Sequence, residues 1–263
     1  MKFGVCRGLD DLAAMKAAKA AGADYFETGF GCLANYTDEK FEEGKAMLDS
    51  LGLPCYASNG FIPGDMPIVG DNVDYGAIEA YLDRGFERAE QLGVKVIVLG
   101  SGKARSFPEG YSPDKAKEQV AYFLSEYASP RAEKIGAIIV IEPLRFCESS
   151  MIYTVADGVE IAKMSGKDNV FGLADLYHVY GNGDSIEGIS DFKGLVRHSH
   201  IAEPVQRVYP RQGNSAEIKE IYKKFFDALK SAGCESCSVE ARTDDFAGEI
   251  AETISLLKSV DNA

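Results

Sequence analysis

The chain alternates short apolar runs with longer segments in which apolar residues recur at the spacing of a helix. The apolar runs predict eight strands, at residues 2–6, 25–28, 54–58, 95–99, 138–142, 170–174, 197–201 and 237–241. Most of these runs are apolar at every position, which is typical of parallel strands that are covered on both faces.

The intervening segments predict amphipathic helices at residues 9–21, 38–51, 74–92, 112–136, 214–232 and 244–260. Gly52, Gly93 and Gly233 follow three of them, and glycine commonly ends a helix because it adopts the left-handed conformation. Strand followed by helix, repeated eight times in 263 residues, favours one closed (β/α)8 TIM barrel over an open doubly wound sheet. Since no proline-rich or serine-rich linker divides the chain, we expect a single α/β domain over residues 1–263.

The charge of the chain narrows the choice of partners. With 28 Lys and Arg against 41 Asp and Glu, the formal net charge is −13, which disfavours nucleic acids and anionic membranes. No apolar run approaches the length of a membrane span, and the first residues lack the apolar segment of a signal peptide. We therefore expect a cytoplasmic protein.

Six cysteines are spread along the chain, and a protein of this size has enough core to fold without disulfides. Cys234 and Cys237 have the spacing of a redox or zinc pair, but no second pair accompanies them. Reduced thiols are the expectation.

Polar residues stand at the ends of the last four predicted strands, where the chemistry of a barrel is located. They are Glu142, Asp175, His200 and Glu240. Three carboxylates in one cavity repel each other unless a cation or a proton compensates them. Oxygen ligands with one imidazole favour Mn²⁺, with Mg²⁺ or Co²⁺ as alternatives. The other interpretation is that each acid caps a helix or pairs with a basic residue on the rim.

A cation at this position suggests a reaction. An α-hydroxyketone chelated through its carbonyl and neighbouring hydroxyl has an acidified C–H bond, because the cation stabilises the enediolate. One carboxylate can remove the proton on one face, and another can return a proton on the opposite face, which inverts the carbon. Glu142 and Glu240 are the candidates for these two roles.

Five motifs in the second half of the chain resemble those of the xylose isomerase-like TIM barrels, and among these the ketose 3-epimerases of the D-tagatose and D-psicose type. The motifs are Glu142-Pro143-Leu144-Arg145-Phe146-Cys147-Glu148, Asp175-Leu176-Tyr177-His178, His198-Ser199-His200, Arg207 followed by Pro210 and Gly213, and Val239-Glu240. The resemblance implies that Glu142, Asp175, His200 and Glu240 bind one divalent metal ion. It also implies acid–base roles for Glu142 and Glu240, and substrate contacts for Glu148, His178 and Arg207.

The chain departs from that pattern at several positions, which leaves the sugar undefined. Arg145 stands where related epimerases usually have Asn, and Arg211 replaces the first glycine of the loop. His198 shares the inward face of its strand with His200, and we expect it one layer deeper. Glu27 ends the second strand as either a rim acid or a sugar-binding group.

The segment Gly100-Ser101-Gly102-Lys103-Ala104-Arg105 does not have the spacing of a P-loop. We expect a tight loop whose glycines adopt positive φ. The alternative is that Lys103 and Arg105 hold a phosphate or an acid of the substrate.

The sequence therefore predicts a metal-dependent isomerase or epimerase of a small carbohydrate, with 3-epimerisation of a ketose favoured. Alternatives on the same site are an aldose–ketose or keto-inositol isomerase and a lyase or dehydratase. An abasic-site endonuclease needs several metals and many histidines, and this chain has three. A non-catalytic sugar-binding subunit is the last alternative, and the resemblance also implies a possible homo-oligomer.

Overall fold

The computed structural model describes residues 1–262, in which eight parallel strands close into a barrel. Each strand pairs with its neighbours in sequence, and β8 pairs with β1. The strands are β1 Lys2–Cys6, β2 Tyr25–Gly29, β3 Cys55–Asn59, β4 Val96–Leu99, β5 Ile138–Ile141, β6 Val170–Asp175, β7 Val196–Ile201 and β8 Ser236–Val239. The predicted (β/α)8 TIM barrel is confirmed, with strand ends shifted by one or two residues.

Ten α-helices surround the barrel in the described part of the chain. They are α1 Leu12–Ala20, α2 Phe30–Asn35, α3 Asp38–Leu51, α4 Tyr75–Leu92, α5 Pro113–Tyr122, α6 Ser129–Lys134, α7 Val155–Met164, α8 Leu176–Asn182, α9 Ala216–Ala232 and α10 Phe246–Asp261. A π-helical turn at Phe123–Ala128 joins α5 to α6, and a 3₁₀ helix spans Glu187–Asp191.

Three of these helices, α2, α7 and α8, were not predicted, and the single helix expected at residues 112–136 is interrupted. Its interruption precedes Pro130, which has no N–H to donate and whose ring clashes with the carbonyl one turn earlier. A wider π turn relieves that clash.

The barrel interior is apolar towards the amino ends of the strands and polar at their carboxyl ends, where we expect the chemistry. Its apolar cluster is built from Tyr25, Ala57, Val96, Val98, Val140 and Leu173. Above it the register places Asp175 beside His200 and His200 beside Ser238, so that side chains of β6, β7 and β8 meet inside the barrel. The strand ends therefore converge on one polar cavity, as parallel pairing requires.

All six cysteines are free thiols, as expected, and Cys234 and Cys237 are both buried. Over residues 1–262, every helix is too short or too polar to cross a bilayer. The cytoplasmic location and the homo-oligomer stay predictions.

Candidate active site

Four predicted ligands lie together at the carboxyl ends of the last four strands. Glu142 and Glu240 directly follow β5 and β8, Asp175 ends β6, and His200 lies within β7. One ligand atom from each lies within 4.8 Å of the corresponding atom of every other. The predicted cluster is therefore compact enough for its four side chains to share one small ligand.

Asp175 offers a carboxylate oxygen that the protein leaves without a partner. Its Oδ1 accepts the backbone N–H of Tyr177 at 2.7 Å and that of His178 at 3.4 Å, so it caps the start of α8. Its Oδ2 is buried and has no hydrogen-bond partner among the described residues. An unpaired buried carboxylate oxygen is costly, and a cation at the centre of the cluster would satisfy it.

His200 lies between the carboxylates of Glu142 and Glu27. Its Nδ1 is 3.0 Å from Oε1 of Glu142, and its Nε2 is 3.0 Å from Oε1 of Glu27. Burial lowers the pKa of His200, but the carboxylates of Glu27 and Glu240 raise it by more, and it lies well above its usual value. Without a metal, a proton on this imidazole therefore supplies positive charge to the cluster. A divalent cation among the same groups would supply it instead, so these residues fit a metal.

The two acid–base candidates have pKa values that are shifted in opposite directions. Burial raises the pKa of Glu142, but the charge and hydrogen bond of His200, together with the charges of His178 and Arg207, outweigh burial and lower that pKa to about 2. Burial and the Glu142 carboxylate both raise the pKa of Glu240. Asn59 donates to Oε1 of Glu240 at 3.0 Å and Arg207 donates to its Oε2 at 2.7 Å, so the carboxylate is held on two sides.

The three predicted substrate-binding residues lie next to this cluster. His178 is buried, with its Nδ1 3.3 Å from Oε2 of Glu148 and its Nε2 3.7 Å from Oδ2 of Asp175. Arg207 reaches from the β7 loop to within 3.4 Å of Oε1 of Glu148. Nδ1 of His178 is therefore paired with Glu148, whereas its Nε2 has no hydrogen bond within residues 1–262 and is free to bind a ligand.

Arg207 also has backbone strain, because its φ is +57°, a conformation unusual for a residue with a side chain. Its N–H donates to the carbonyl of Glu203 at 3.0 Å, and its carbonyl accepts from Arg242 at 2.8 Å. Arg207 and Arg145 flank the Tyr177 ring, with guanidinium carbons 5.0 and 4.9 Å from the ring centroid. The positive φ, the two backbone hydrogen bonds and the contact with the Tyr177 ring thus fix the direction of the Arg207 guanidinium.

Both interpretations of Glu27 are wrong, because it is neither on the rim nor open to a sugar. It is fully buried inside the barrel, where it contacts His198, His200 and Ser238. Alternation along β2 could have indicated this, since Glu27 and Tyr25 share the inward face. His198 is also fully buried and stands outside the four-residue cluster, in the deeper layer where we expected it.

The loop after β4 is tight, but its glycines do not adopt positive φ. They are required by close approach instead: a Cβ on Gly100 would lie 2.1 Å from Oε2 of Glu142, and one on Gly102 2.4 Å from the carbonyl oxygen of Glu148. Arg105 is fully buried and donates to the carbonyls of Leu99 at 3.0 Å and Glu142 at 2.7 Å. Arg105 therefore supports the loop and is not placed to hold a phosphate, whereas Lys103 is exposed.

The chain belongs to the xylose isomerase-like TIM barrel family, whose family model matches residues 15–260. It is similar to the 3-dehydro-D-guloside 4-epimerase of Escherichia coli, with 26% identity over 194 residues, covering 70% of this chain and 71% of that protein. The family-level resemblance inferred from the motifs is confirmed.

Two solved structures of sugar epimerases share the fold. The apo structure of 3-keto-D-glucoside 4-epimerase from E. coli has a TM-score of 0.78 at 24% identity and covers 98% of this chain and 99% of that one. D-Psicose 3-epimerase with D-tagatose, from Clostridium cellulolyticum, has a TM-score of 0.77 at 20% identity, with 99% and 96% covered.

Proposed function

We propose that this protein is a divalent-metal-dependent epimerase that inverts the carbon next to the carbonyl group of a keto sugar. The observation that carries the proposal is the convergence of Glu142, Asp175, His200 and Glu240, with Oδ2 of Asp175 left unpaired. The relatives support a carbohydrate enzyme, since their names describe sugar epimerases.

These four residues would hold the cation, with Mn²⁺ favoured and Mg²⁺ or Co²⁺ as alternatives. When bound, the cation would polarise the carbonyl oxygen of the sugar and stabilise the negative charge that develops there. The carboxylate-rich cluster is a poor match for metals that prefer thiolate ligands.

Glu142 and Glu240 are the proposed proton-transfer groups, one on each face of the carbon that is inverted. Glu142 removes a proton at its carboxylate, and Glu240 returns one from the other side. The hydrogen bonds from Arg207 and Asn59 hold the Glu240 carboxylate in one orientation, which proton transfer requires.

His178, Glu148 and Arg207 are the proposed contacts to the hydroxyl groups of the sugar. Nε2 of His178 has no hydrogen bond among the described residues, and Glu148 is about one-third exposed at 34%. Arg207 links Glu148 to Glu240, so binding of a hydroxyl group at Glu148 is coupled to the position of an acid–base residue.

The position that is inverted depends on where the sugar carries its carbonyl. The sequence favoured a 2-ketose and inversion at C3, whereas the names of the E. coli sequence relative and the E. coli structure describe 4-epimerases of 3-dehydro or 3-keto sugars. Both reactions exchange the hydrogen of a carbon adjacent to a carbonyl, so the same two carboxylates serve either one.

The test is incubation of the metal-loaded protein with 2-ketoses and 3-keto-glycosides in deuterated water, followed by NMR of the products. We expect one deuterium at the inverted carbon. Chelation of the metal should abolish turnover, and Glu142→Gln and Glu240→Gln should lower it about 10²- to 10⁴-fold.

Glu235→Gln provides the matched control, because Glu235 is exposed just before β8, at the opposite end of the barrel from Glu240. Its turnover should equal that of the unmodified protein. Full activity after removal of all metal would contradict the proposal. A product with a displaced carbonyl would instead indicate an isomerase, and a product of lower mass a lyase or dehydratase.

A further inference from the structure

A buried hydrogen-bond network lies directly beneath the proposed metal ligands, and its centre is Glu27. Oε1 of Glu27 is 3.0 Å from Nε2 of His200, and its Oε2 is 3.1 Å from Nε2 of His198 and 2.5 Å from Oγ of Ser238. Nδ1 of His198 in turn lies 2.7 Å from Oγ of Ser236. Both oxygens of Glu27 are therefore engaged, and the carboxylate cannot rotate without losing these contacts.

Burial of the Glu27 carboxylate costs free energy of folding, which suggests a role in the cluster above it. It is fully buried, and among the described residues the only groups that give it an ion pair within 4.0 Å are the two histidines. A buried carboxylate with partners of this kind stabilises a fold poorly compared with apolar packing of similar volume. The role of the Glu27 carboxylate therefore lies in its effect on the imidazole ring of His200.

We propose that Glu27 is a positioning residue that fixes the tautomer and the orientation of His200 for metal binding. This inference rests on the proposed function, because it takes His200 as a metal ligand. A carboxylate accepts hydrogen bonds, so Nε2 of His200 carries the hydrogen, and the neutral ring then has a lone pair at Nδ1.

The surroundings of Nδ1 agree with this assignment. It lies 3.0 Å from Oε1 of Glu142 and 3.7 Å from Oε2 of Glu240, and both of these oxygens are acceptors as well. Without a cation, a proton on Nδ1 compensates these two oxygens, and a bound cation would replace that proton and take the lone pair of Nδ1. Glu27 therefore selects the ring state that presents Nδ1 to a cation, and its negative charge increases the basicity of that nitrogen.

The first experiment is calorimetric titration of the metal-free protein with Mn²⁺ alone, without sugar. Glu27→Gln keeps the shape of the side chain and removes its charge, and we expect it to raise the dissociation constant of Mn²⁺ 10- to 100-fold. Asp261→Asn is the matched control, because the side chain of Asp261 is also largely buried, at 7% exposure, but pairs with the amino group of Met1 at the other end of the chain. Its affinity should stay within about twofold of the unmodified protein. Equal affinity of the Glu27→Gln variant would overturn the proposal.

The second experiment needs no variant, so it holds even if Glu27→Gln fails to fold. The chain has three histidines, which makes the nitrogen spectrum of the ¹⁵N-histidine-labelled, Zn²⁺-loaded protein simple to assign. We expect metal-bound Nδ1 and protonated Nε2 for His200. Binding of Zn²⁺ through Nε2 would overturn the proposal.

These readouts separate the positioning role from the proposed activity. Metal affinity that depends on Glu27, in a protein that epimerises no keto sugar, would support the positioning role and overturn the proposed function. Epimerisation with affinity that is independent of Glu27 would do the opposite. A protein that binds no divalent cation would overturn both.

Discussion

At the scale of single residues, the hydrogen atom that Gly100 carries in place of a side chain leaves room for the carboxylate of Glu142. A Cβ at this position would lie 2.1 Å from Oε2 of Glu142, far inside van der Waals contact. We expect Gly100→Ala to displace this carboxylate, to weaken Mn²⁺ binding and to lower turnover at least tenfold, because small misplacements of a reacting group are costly. Calorimetry and a kinetic assay measure the two effects.

Gly76→Ala is the control for that substitution, since Gly76 lies in the first turn of α4 and a Cβ there would approach only Oδ1 of Asp74, at 3.5 Å. Metal binding and turnover should be unaffected, and the stability should rise slightly because alanine favours a helix. Normal metal affinity in Gly100→Ala would show that the carboxylate can move without loss.

The buried guanidinium of Arg105 stabilises the fold through its hydrogen bonds, so we expect its replacement to lower the free energy of unfolding. It donates to the carbonyls of Leu99 and Glu142, and burial lowers its pKa to about 10. Arg105→Met should lower the free energy of unfolding by about 3 kcal/mol, because two buried carbonyls lose charged donors. Urea denaturation measures the change. Arg105→Lys should recover part of it, and a loss below about 0.5 kcal/mol for Arg105→Met would contradict the supporting role.

Residues of the site differ in how far the sequence predicts them. Glu142 and Asp175 were found because a carboxylate after an apolar run is unexpected in a core. Glu27 was misinterpreted because its partners His198, His200 and Ser238 lie on β7 and β8, far from it in sequence. Arg105 was considered only as a contact to a phosphate or an acid of the substrate, because a buried guanidinium with carbonyl partners has no local signature in the sequence.

At the scale of elements, α7 follows the loop that carries Glu148 and begins with a capping box. The side chain of Thr154 accepts from the backbone of Asp157, and the side chain of Asp157 accepts from the backbone of Thr154. Thr154→Ala should lower the free energy of unfolding by about 1 kcal/mol, because it removes one half of this box. Chemical denaturation tests it, and Thr154→Ser, which keeps the hydroxyl, should retain most of the stability.

Elements with strong periodicity were predicted well, and short elements were missed. The glycine stops after α3, α4 and α9 fall at Gly52, Gly93 and Gly233 as expected, since each adopts positive φ. By contrast, α2 has six residues and α8 seven, too few to show a helical repeat. Helix α7 has a capping signal in the sequence, which a search for Thr-x-x-Asp could have found.

At the scale of the whole molecule, the three histidines occupy three distinct layers of one site. His178 lies beside Glu148, a proposed contact to the substrate, His200 lies in the four-residue cluster, and His198 lies beneath it. The closed fold was predictable because alternation of strand and helix is a property of the whole chain, insensitive to errors at single boundaries. The order of these side chains along the barrel axis was only partly predictable, because it depends on the register between neighbouring strands.

Metal binding should stabilise the whole barrel, because the cluster joins residues from β6 and β7 with those that follow β5 and β8. In the absence of a cation, these carboxylates repel each other, and that repulsion is lost on unfolding. Free Mn²⁺ at one hundred times its dissociation constant should add about 2.7 kcal/mol to the free energy of unfolding. For a domain of this size, such a gain corresponds to a rise of about 5 °C in Tm. Thermal unfolding with and without a chelator measures the rise. Asp175→Asn removes one ligand charge and should abolish most of it, whereas Glu235→Gln should retain it in full. An equal rise in Asp175→Asn would place the cation elsewhere on the molecule.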